Sequence, residues 1–218
     1  MGFYQQKSKK VLKFAFCKSD ADNLNKNDKI SLMKRTTEQK AKKIVFAGGP
    51  GTGKSTLIDE LEKHGHLVMK EVSREIVREA REKGVEHLFI SDPLAFSDKL
   101  LEKRKAQFQK AENSEHEHVF IDRGIPEITA YLDHQRTDYP SYFSNANKQF
   151  IYDQIFIFPV WKDIFEQDEI RYETLYQSKE IQEHLIRTYR SIGYDLIEMP
   201  RTDTVSRIDF IMNKLGYE

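Results

Sequence analysis

The stretch FAGGPGTGKST, residues 46–56, decides the fold of this 218-residue chain. It matches the phosphate-binding pattern G-x-x-x-x-G-K-[ST] through Gly48, Gly53, Lys54 and Ser55. Glycines of this kind let successive backbone N–H groups point into one concavity, where they and a helix N-terminus attract phosphate oxygens. We therefore predict that a nucleotide is bound by eight consecutive residues, Gly49, Pro50, Gly51, Thr52, Gly53, Lys54, Ser55 and Thr56.

The segments on either side of this loop support the match. KIVFAG (43–48) is a β-branched and aromatic run, which is typical of a buried parallel strand. STLIDELEKHG (55–65) places its leucines and isoleucine on one helical face and ends at a glycine. Strand, loop and helix thus follow in the order that the pattern requires. In this context we expect Lys54 to reach the β- and γ-phosphates and the Ser55 hydroxyl to hold Mg²⁺.

The rest of the chain alternates between predicted strands and predicted helices. Further strands are predicted at 66–70, 118–122, 154–158 and 194–199, and helices at 72–83, 93–112, 125–135, up to about 192, and 204–216. The helix that ends near 192 is expected to turn Tyr176 inward. Five strands alternating with helices predict an α/β fold with a five-stranded parallel sheet covered on both faces, in one domain over residues 43–218.

Composition limits the class of protein. The chain is 39% hydrophobic and 32% charged, and it has no apolar run of the roughly 20 residues that a membrane-spanning helix needs. Cys17 is its single cysteine, so an internal disulfide and a thiolate metal site are excluded. The N-terminus has no secretory signal pattern. These features predict a soluble, cytoplasmic protein.

Charge divides the chain near residue 43. Residues 1–43 carry twelve Lys/Arg and four Asp/Glu, a net of +8, and the remainder carries 23 and 31, a net of −8. We predict that residues 1–42 are a basic, disordered extension, and weak contact with anionic lipid is the alternative. A start at Met33 would remove most of it. No nucleic-acid partner is expected, because the aromatic residues are not interleaved with a basic stripe.

Asp122 ends an apolar strand downstream of the loop, where a carboxylate meets Mg²⁺ directly or through water. Arg123 follows at the position where ring-forming motors usually carry an acidic residue that polarises water. This cation counts against efficient hydrolysis and suits a second anion or a phosphate in transfer. NKND (25–28) fits a guanine-reading pattern, but it precedes the loop, and Ile125 stands where the accompanying D-x-x-G pattern needs glycine. We interpret NKND as a coincidence.

A resemblance to a known family covers about residues 43–215, and six segments carry it; they are FAGGPGTGKSTL, EVSREIV, FIDRGIPEITAYL, IFIFPVW, DEIRYET and YRSIGYDLIEMP. In this order they resemble the AAA-type P-loop family that contains nicotinamide riboside kinase-like domains. The resemblance implies a kinase-like P-loop fold, ATP or GTP with Mg²⁺, a mobile lid between strands four and five, and a nucleotide base near PRTD (200–203). It does not imply a ring motor. The family is mixed: some members resemble salvage kinases, and a eukaryotic branch is tied to GTP and phosphoinositides.

Two further sites concern the second substrate. Glu71 and Arg74 follow the second strand, which faces the acceptor in small-molecule kinases of this architecture, and a carboxylate there could accept the acceptor's proton. The alternative is a solvated, ion-paired helix face, because acids and arginines alternate from 71 to 82. Arg171, in the lid, would offset charge on the transferring phosphate, or it would pair with Asp168 or Glu169.

Together these residues predict a kinase. The proposed catalytic set is Lys54, Glu71, Asp122, Arg123 and Arg171, and the proposed acceptor contacts are Glu71, Arg74 and Arg123. We expect Mg²⁺-dependent phosphoryl transfer from ATP, with GTP as the alternative, to a small hydroxylated metabolite such as a nucleoside or riboside. Two alternatives remain: a non-catalytic ATP or GTP sensor with a lipid or protein partner, and a slow stand-alone NTPase.

Overall fold

The structure is a computed structural model, and it describes residues 40–165 and 174–217. Its strands are β1 (Lys42–Ala47), β2 (Leu67–Met69), β3 (His118–Asp122), β4 (Gln154–Ile157) and β5 (Leu196–Glu198). Its helices are α1 (Lys54–Lys63), α2 (Ser73–Glu82), α3 (Leu88–Ser91), α4 (Pro93–Glu112), α5 (Pro126–His134), α6 (Ser141–Gln149), α7 (Leu175–Ser191) and α8 (Thr204–Leu215), with a 3₁₀ turn at Lys162–Ile164. The strands form one five-stranded sheet in the order β2-β3-β1-β4-β5, and every pair is parallel.

Apolar layers cover both faces of this sheet. Successive strand residues point to opposite faces, so Ile44 and Phe46 of β1 pack with α1 and α8, whereas Val45 and Ala47 pack with α4, α5 and α7. All four of these side chains are buried. The prediction of a doubly covered parallel sheet is confirmed.

The strand order brings the predicted catalytic residues together at the carboxyl ends of neighbouring strands. β1 lies between β3 and β4, and its register pairs Phe46 with Asp122. The phosphate loop leaves the carboxyl end of β1, Asp122 ends β3, and Glu71 follows β2 on the other side of β3. In open α/β sheets, ligands bind outside the carboxyl ends of the strands. The fold therefore gathers the predicted residues before any side chain is considered.

Three details differ from the sequence predictions. Helices α3 and α6 were not expected; α6 has the polar sequence SYFSNANKQ, and it is held by the burial of Phe143, Ala146 and Asn147 on one face. The prediction for Tyr176 was wrong, because its side chain is 69% exposed, while Ser178 and Ile181 of α7 turn inward instead. Among the described residues, no helix is long and apolar enough to cross a membrane.

Candidate active site

The phosphate loop ends at a helix whose first turn has no side-chain cap. Gly53 is the N-cap residue of α1, with a left-handed φ of +84° that glycine adopts without steric cost, and no side chain of the described residues caps the helix there. The first amides of a helix have no partner within it. They are consequently free to donate to phosphate oxygens, as predicted for residues 49–56.

The other end of the loop is packed tightly against α7. A Cβ atom on Gly49 would lie only 2.6 Å from the Ser178 hydroxyl oxygen and 2.9 Å from the Ser178 carbonyl oxygen. The same hydroxyl donates a 3.0 Å hydrogen bond to the carbonyl of Pro50. Any side chain at position 49 would push the loop away from α7. The loop geometry thus depends on the helix that follows the predicted lid.

Lys54 is folded into the concavity of the loop. Its ammonium group donates to the carbonyls of Gly48 and Gly49 at 2.8 and 2.7 Å and to the Thr52 hydroxyl at 3.0 Å. Burial, helped by the nearby positive charge of Arg123, lowers the pKa of Lys54 to about 7. A triphosphate would replace these carbonyl contacts with full negative charges, which favour the protonated lysine.

Ser55 and Asp122 meet as the sequence analysis expected. The Ser55 hydroxyl donates to Asp122 Oδ2 at 3.2 Å, and the Asp122 side chain is buried. Burial raises the pKa of Asp122, against the opposing effect of the Lys54 charge. Its Oδ1 atom is buried and has no hydrogen-bond partner among the described residues. A hydroxyl and an unsatisfied carboxylate oxygen are the hard donors that Mg²⁺ takes, so the residues present fit this ion.

Beyond Asp122 lies a cluster of four charged side chains, Glu71, Arg104, Arg123 and Glu127, which we call the ion-pair cluster. Glu71 Oε2 lies 2.7 Å from Arg123 Nε and 3.2 Å from Arg104 Nη2. Arg123 Nη1 lies 2.8 Å from Glu127 Oε2, and Arg104 Nη1 donates to the carbonyl of Gly124 at 2.8 Å. Two carboxylates and two guanidiniums therefore neutralise one another in a site almost closed to solvent.

The arginines control the ionisation of Glu71. Burial pushes the pKa of Glu71 upwards, but the charges of Arg104 and Arg123 and the amide of Ser73 hold it below its usual value. Burial instead raises the pKa of Glu127, whose side chain has no exposed surface. Glu71 is thus a permanently ionised carboxylate at neutral pH, beside the phosphate loop.

Arg123 is held in an unusual backbone conformation. Its φ of +72° is left-handed, which for a residue with a side chain costs about 1–2 kcal/mol. Besides its two carboxylates, it donates to the Tyr131 hydroxyl at 3.1 Å and lies over the Tyr131 ring at 5.5 Å. Strained residues held by many contacts often mark functional sites. Here the strained residue directly follows the predicted Mg²⁺ ligand.

One cavity of about 790 Å³ joins the two halves of the site. The phosphate loop, Asp122 and the loop at 202–204 line one part of it, and the ion-pair cluster lines the other. Past the cluster, the walls are mainly apolar and aromatic; they comprise Val77, Phe89, Phe96, Leu100, Ile128 and Tyr131. A volume in this range is typical of small-molecule sites, and these walls suit a flat ring.

The structure brings most of the predicted site residues together. Lys54, Glu71, Asp122 and Arg123 line the cavity, as does Arg74, which is exposed at its rim. Of the predicted nucleotide-binding residues, 50–56 line it directly, and Gly49 lies behind them against Ser178. Arg171 and most of the predicted lid fall outside the described residues. Their roles stay predictions.

Two members of the ion-pair cluster were missed by the sequence analysis. Arg104 stands on the buried stripe of α4 between Leu101 and Phe108, and a charged residue at such a position is a signal that could have been noticed. Glu127 follows Pro126 in the first turn of α5. An acid there looks like an ordinary partner of the helix dipole, so no signal distinguishes it.

Comparisons with known proteins agree with this geometry. Residues 43–207 match a family described as an AAA domain. The fold is similar to a deoxyadenosine kinase from M. mycoides, solved with dCMP and dCDP: the TM-score is 0.60 at 20% identity, covering 81% of this chain and 100% of that one. It is also similar to NadR in complex with NAD and AMP-PNP, with a TM-score of 0.60 at 16% identity, covering 89% of this chain and 59% of that one.

A thymidylate kinase from Candida albicans is a third similar structure, with a TM-score of 0.55 at 13% identity, covering 82% of this chain and 94% of that one. No curated protein matches the sequence significantly. At these identities the likeness shows the fold alone. That fold is the one used by P-loop kinases.

Proposed function

Because the chain belongs to the AAA-domain family of P-loop proteins, we propose that it transfers the γ-phosphoryl group of a nucleoside triphosphate to a hydroxyl of a small metabolite. One observation carries the proposal: a single cavity runs from the phosphate loop past Asp122 to Glu71 and Arg123 and on between apolar walls. Two ligands can therefore meet end to end. A binding site for nucleotide alone would not need the second compartment.

The donor half of the reaction uses the phosphate loop. The backbone amides of the loop and the first turn of α1 bind the phosphates, and Lys54 turns from its carbonyl contacts towards the β- and γ-phosphates. Ser55 and Asp122 would hold Mg²⁺, which neutralises charge on the phosphates and leaves the γ-phosphorus open to attack. We propose ATP or GTP as the donor.

The acceptor half uses the ion-pair cluster. An acceptor hydroxyl oxygen forms a bond to the γ-phosphorus as the bond from that phosphorus to the β,γ-bridging oxygen breaks, and the diphosphate leaves. The hydroxyl proton passes to the Glu71 carboxylate, which its arginine neighbours keep ionised and oriented. Arg123 follows Asp122 in the chain and contacts the Glu71 carboxylate at 2.7 Å, so its guanidinium would offset charge on the moving phosphoryl group.

A nucleoside or a riboside is the acceptor class that we propose. The apolar and aromatic walls past the ion-pair cluster accommodate a flat ring, and the carboxylate at the inner end meets a sugar hydroxyl. The similar folds of a deoxyadenosine kinase and NadR are in line with this choice.

A non-catalytic sensor is the second candidate, and one observation favours it. Both oxygens of Glu71 are already engaged, Oε1 by the amide of Ser73 at 2.9 Å and Oε2 by two guanidiniums. A carboxylate occupied in this way could serve only to hold the cavity wall together. In that case nucleotide binding would change the affinity for a partner and no acceptor would be phosphorylated.

An acceptor screen separates these functions. The full chain is incubated with Mg²⁺, radiolabelled ATP or GTP and panels of nucleosides and ribosides, and transfer of label is followed. Label on an acceptor, absent with Lys54→Ala, supports the kinase. Tight nucleotide binding without any transfer supports the sensor, and release of labelled phosphate that no acceptor accelerates supports a slow NTPase.

A further inference from the structure

Arg207, on α8, is a buried arginine beside the phosphate loop, and it has no acidic partner among the residues that the structure describes. Its side chain is 4% exposed, and burial lowers its pKa. Arg104 and Arg123 pair with carboxylates of the ion-pair cluster, whereas Arg207 makes no ion pair with any carboxylate in residues 40–165 and 174–217. A buried charge without a partner is costly. A ligand with acceptor atoms would offset part of the cost of burying the Arg207 charge.

The hydrogen bonds of Arg207 fix its guanidinium but leave donors over. Its Nε donates to the carbonyl of Pro200 at 3.0 Å, and its Nη1 donates to the carbonyl of Thr52, in the phosphate loop, at 3.3 Å. The group lies against the rings of Phe158 and Trp161, at 5.6 and 5.1 Å. Nη2 is buried and has no partner among the described residues. Since a guanidinium has five donors and no acceptor, the remaining ones suit acceptor atoms of a ligand.

The position of Arg207 indicates which part of a ligand it meets. It lines the cavity together with Trp161 and the loop at 202–204, next to Thr52 and Gly53. Arg207 contacts Phe158 and Pro200, which follow β4 and β5, whereas Glu71 and Arg123 of the ion-pair cluster follow β2 and β3; β1, which leads into the phosphate loop, lies between these two pairs of strands. With the γ-phosphate directed at Glu71, the nucleoside part of the donor must extend towards Arg207.

We propose that Arg207 reads the base of the donor nucleotide and makes the site prefer guanine to adenine; this rests on the proposed binding of a triphosphate to the phosphate loop. On one edge, guanine presents two acceptors, O6 and N7. Adenine presents N7 there and an amino group that donates. A fixed guanidinium, which only donates, can hydrogen-bond to both acceptors of guanine. With adenine, one of its N–H groups would face another donor, the amino group. Of the two donors proposed above, GTP thus becomes the preferred one.

Trp161 lies next to this site. It lines the same cavity, and its ring centroid is 5.1 Å from the Arg207 guanidinium, so a base that contacts this guanidinium changes the surroundings of the ring. Trp161 is the single tryptophan of the chain. Guanine nucleotides should therefore change the intrinsic tryptophan fluorescence.

A series of nucleotides tests the proposal on the unmodified protein. Calorimetry gives the Kd of the Mg²⁺ complexes of GTP, ITP, ATP and 2-aminopurine riboside triphosphate. ITP keeps O6 and lacks the 2-amino group of guanine, and the 2-aminopurine compound does the reverse. GTP and ITP should bind at least about tenfold more tightly than the other two, and both should alter the Trp161 fluorescence. Equal or tighter binding of ATP, ITP that binds like ATP, or unchanged fluorescence with GTP overturns the proposal.

Matched variants assign the preference to Arg207. Arg207→Lys keeps the charge but loses the planar fork, so GTP and ATP should then bind within about twofold of each other. Arg190→Lys, the same change at an exposed arginine of α7 that does not line the cavity, should keep the preference. A folded Arg207→Lys protein that still prefers GTP would overturn the assignment; if this variant does not fold, the nucleotide series decides alone. Guanine preference without phosphoryl transfer rejects the kinase and keeps this inference, whereas transfer with a preference for ATP does the opposite.

Discussion

The phosphate loop and the ion-pair cluster share one cavity, yet they are built in opposite ways. The loop is a continuous stretch of chain whose backbone amides face the ligand, and its shape depends on glycines such as Gly49 and Gly53. The cluster takes one side chain from the end of β2, one from α4, one from the end of β3 and one from α5. The first is continuous in the sequence and packs on one distant helix, α7, whereas the second is assembled from four elements that meet only when the sheet and its helices have formed.

This difference changes what a substitution does. A change in the loop removes contacts with a ligand and few contacts within the protein. A change in the cluster leaves a buried charge without its partner, which costs about 3–5 kcal/mol in other proteins.

Glu71→Gln tests whether the cluster does chemistry. If Glu71 receives the acceptor proton, the amide keeps the shape and lowers kcat by about 10²–10⁴-fold, with little change in triphosphate affinity. Steady-state kinetics with an acceptor from the screen, together with calorimetry for the nucleotide, gives both quantities.

Glu79→Gln is the matched control. Glu79 lies on α2 with a side chain 38% exposed and pairs with Lys103 at 3.2 Å, so its loss should barely change kcat. If the two variants have the same kcat, Glu71 is part of the cavity wall and not a base.

Lys54→Ala tests the loop. The substitution deletes a charge directed at the phosphates, so triphosphate affinity should fall by about 100-fold, as expected for the loss of charge-assisted contacts of about 3 kcal/mol. The melting temperature should change little, because the cost of burying the ammonium group, which lowers its pKa, opposes its three hydrogen bonds within the loop. A folded variant that binds triphosphate as well as the unmodified chain contradicts the site.

These two regions also differ in how far the sequence predicts them. The loop, Ser55 and Asp122 could be predicted because a spacing pattern, a strand before it and a helix after it all lie within the local sequence. The parallel, doubly covered sheet followed from the alternation of elements. The order of the strands in the sheet could not be predicted in this way, because it depends on contacts between elements that are far apart in the sequence.

The ion-pair cluster was only half predicted, for a related reason. Glu71 and Arg123 were found because each follows a strand that ends at the active edge. Arg104 binds both Glu71 and the carbonyl of Gly124, but it lies in the middle of a helix. Nothing in the local sequence indicates which carboxylate it will contact. The interpretation of Glu71 as part of a solvated helix face was open for the same reason; its side chain is 12% exposed.

Arg104→Met measures what the cluster contributes to the fold. It leaves Glu71 with Arg123 alone and the carbonyl of Gly124 without its donor, so the free energy of unfolding should fall by about 3 kcal/mol. The double variant Arg104→Met with Glu71→Gln should recover part of this loss, because no unpaired charge then remains. Chemical denaturation of the three variants gives the coupling. Strictly additive losses would contradict a cooperative cluster.

The pH dependence of nucleotide binding should come from Lys54 of the phosphate loop and not from the ion-pair cluster. Free Lys54 has a pKa lowered to about 7, and the phosphates should raise it. At a pH between the pKa of Lys54 without nucleotide and its pKa with nucleotide, binding takes up a proton. The Kd should therefore rise with pH above about pH 7, with a slope that approaches tenfold per pH unit. Glu71, whose pKa is lowered, stays ionised throughout and adds no slope. Lys54→Arg, which remains charged, should lack the slope; the same slope in both proteins would assign it to another group.

Deletion of residues 1–33 should have the smallest effect, because this segment belongs to neither region. It carries a net charge of +4, from seven lysines and three aspartates, and its apolar residues follow no helix or strand period, so we predict that it adds nothing to a packed core. The melting temperature should stay within a few degrees, since a loss of 1 kcal/mol would already shift it by about 2–4 °C in a domain of this size. Triphosphate affinity should also stay the same. Loss of soluble protein would instead show that VLKFAF (11–16) is an additional strand or docking segment, and loss of affinity alone would place the arm near the phosphate loop.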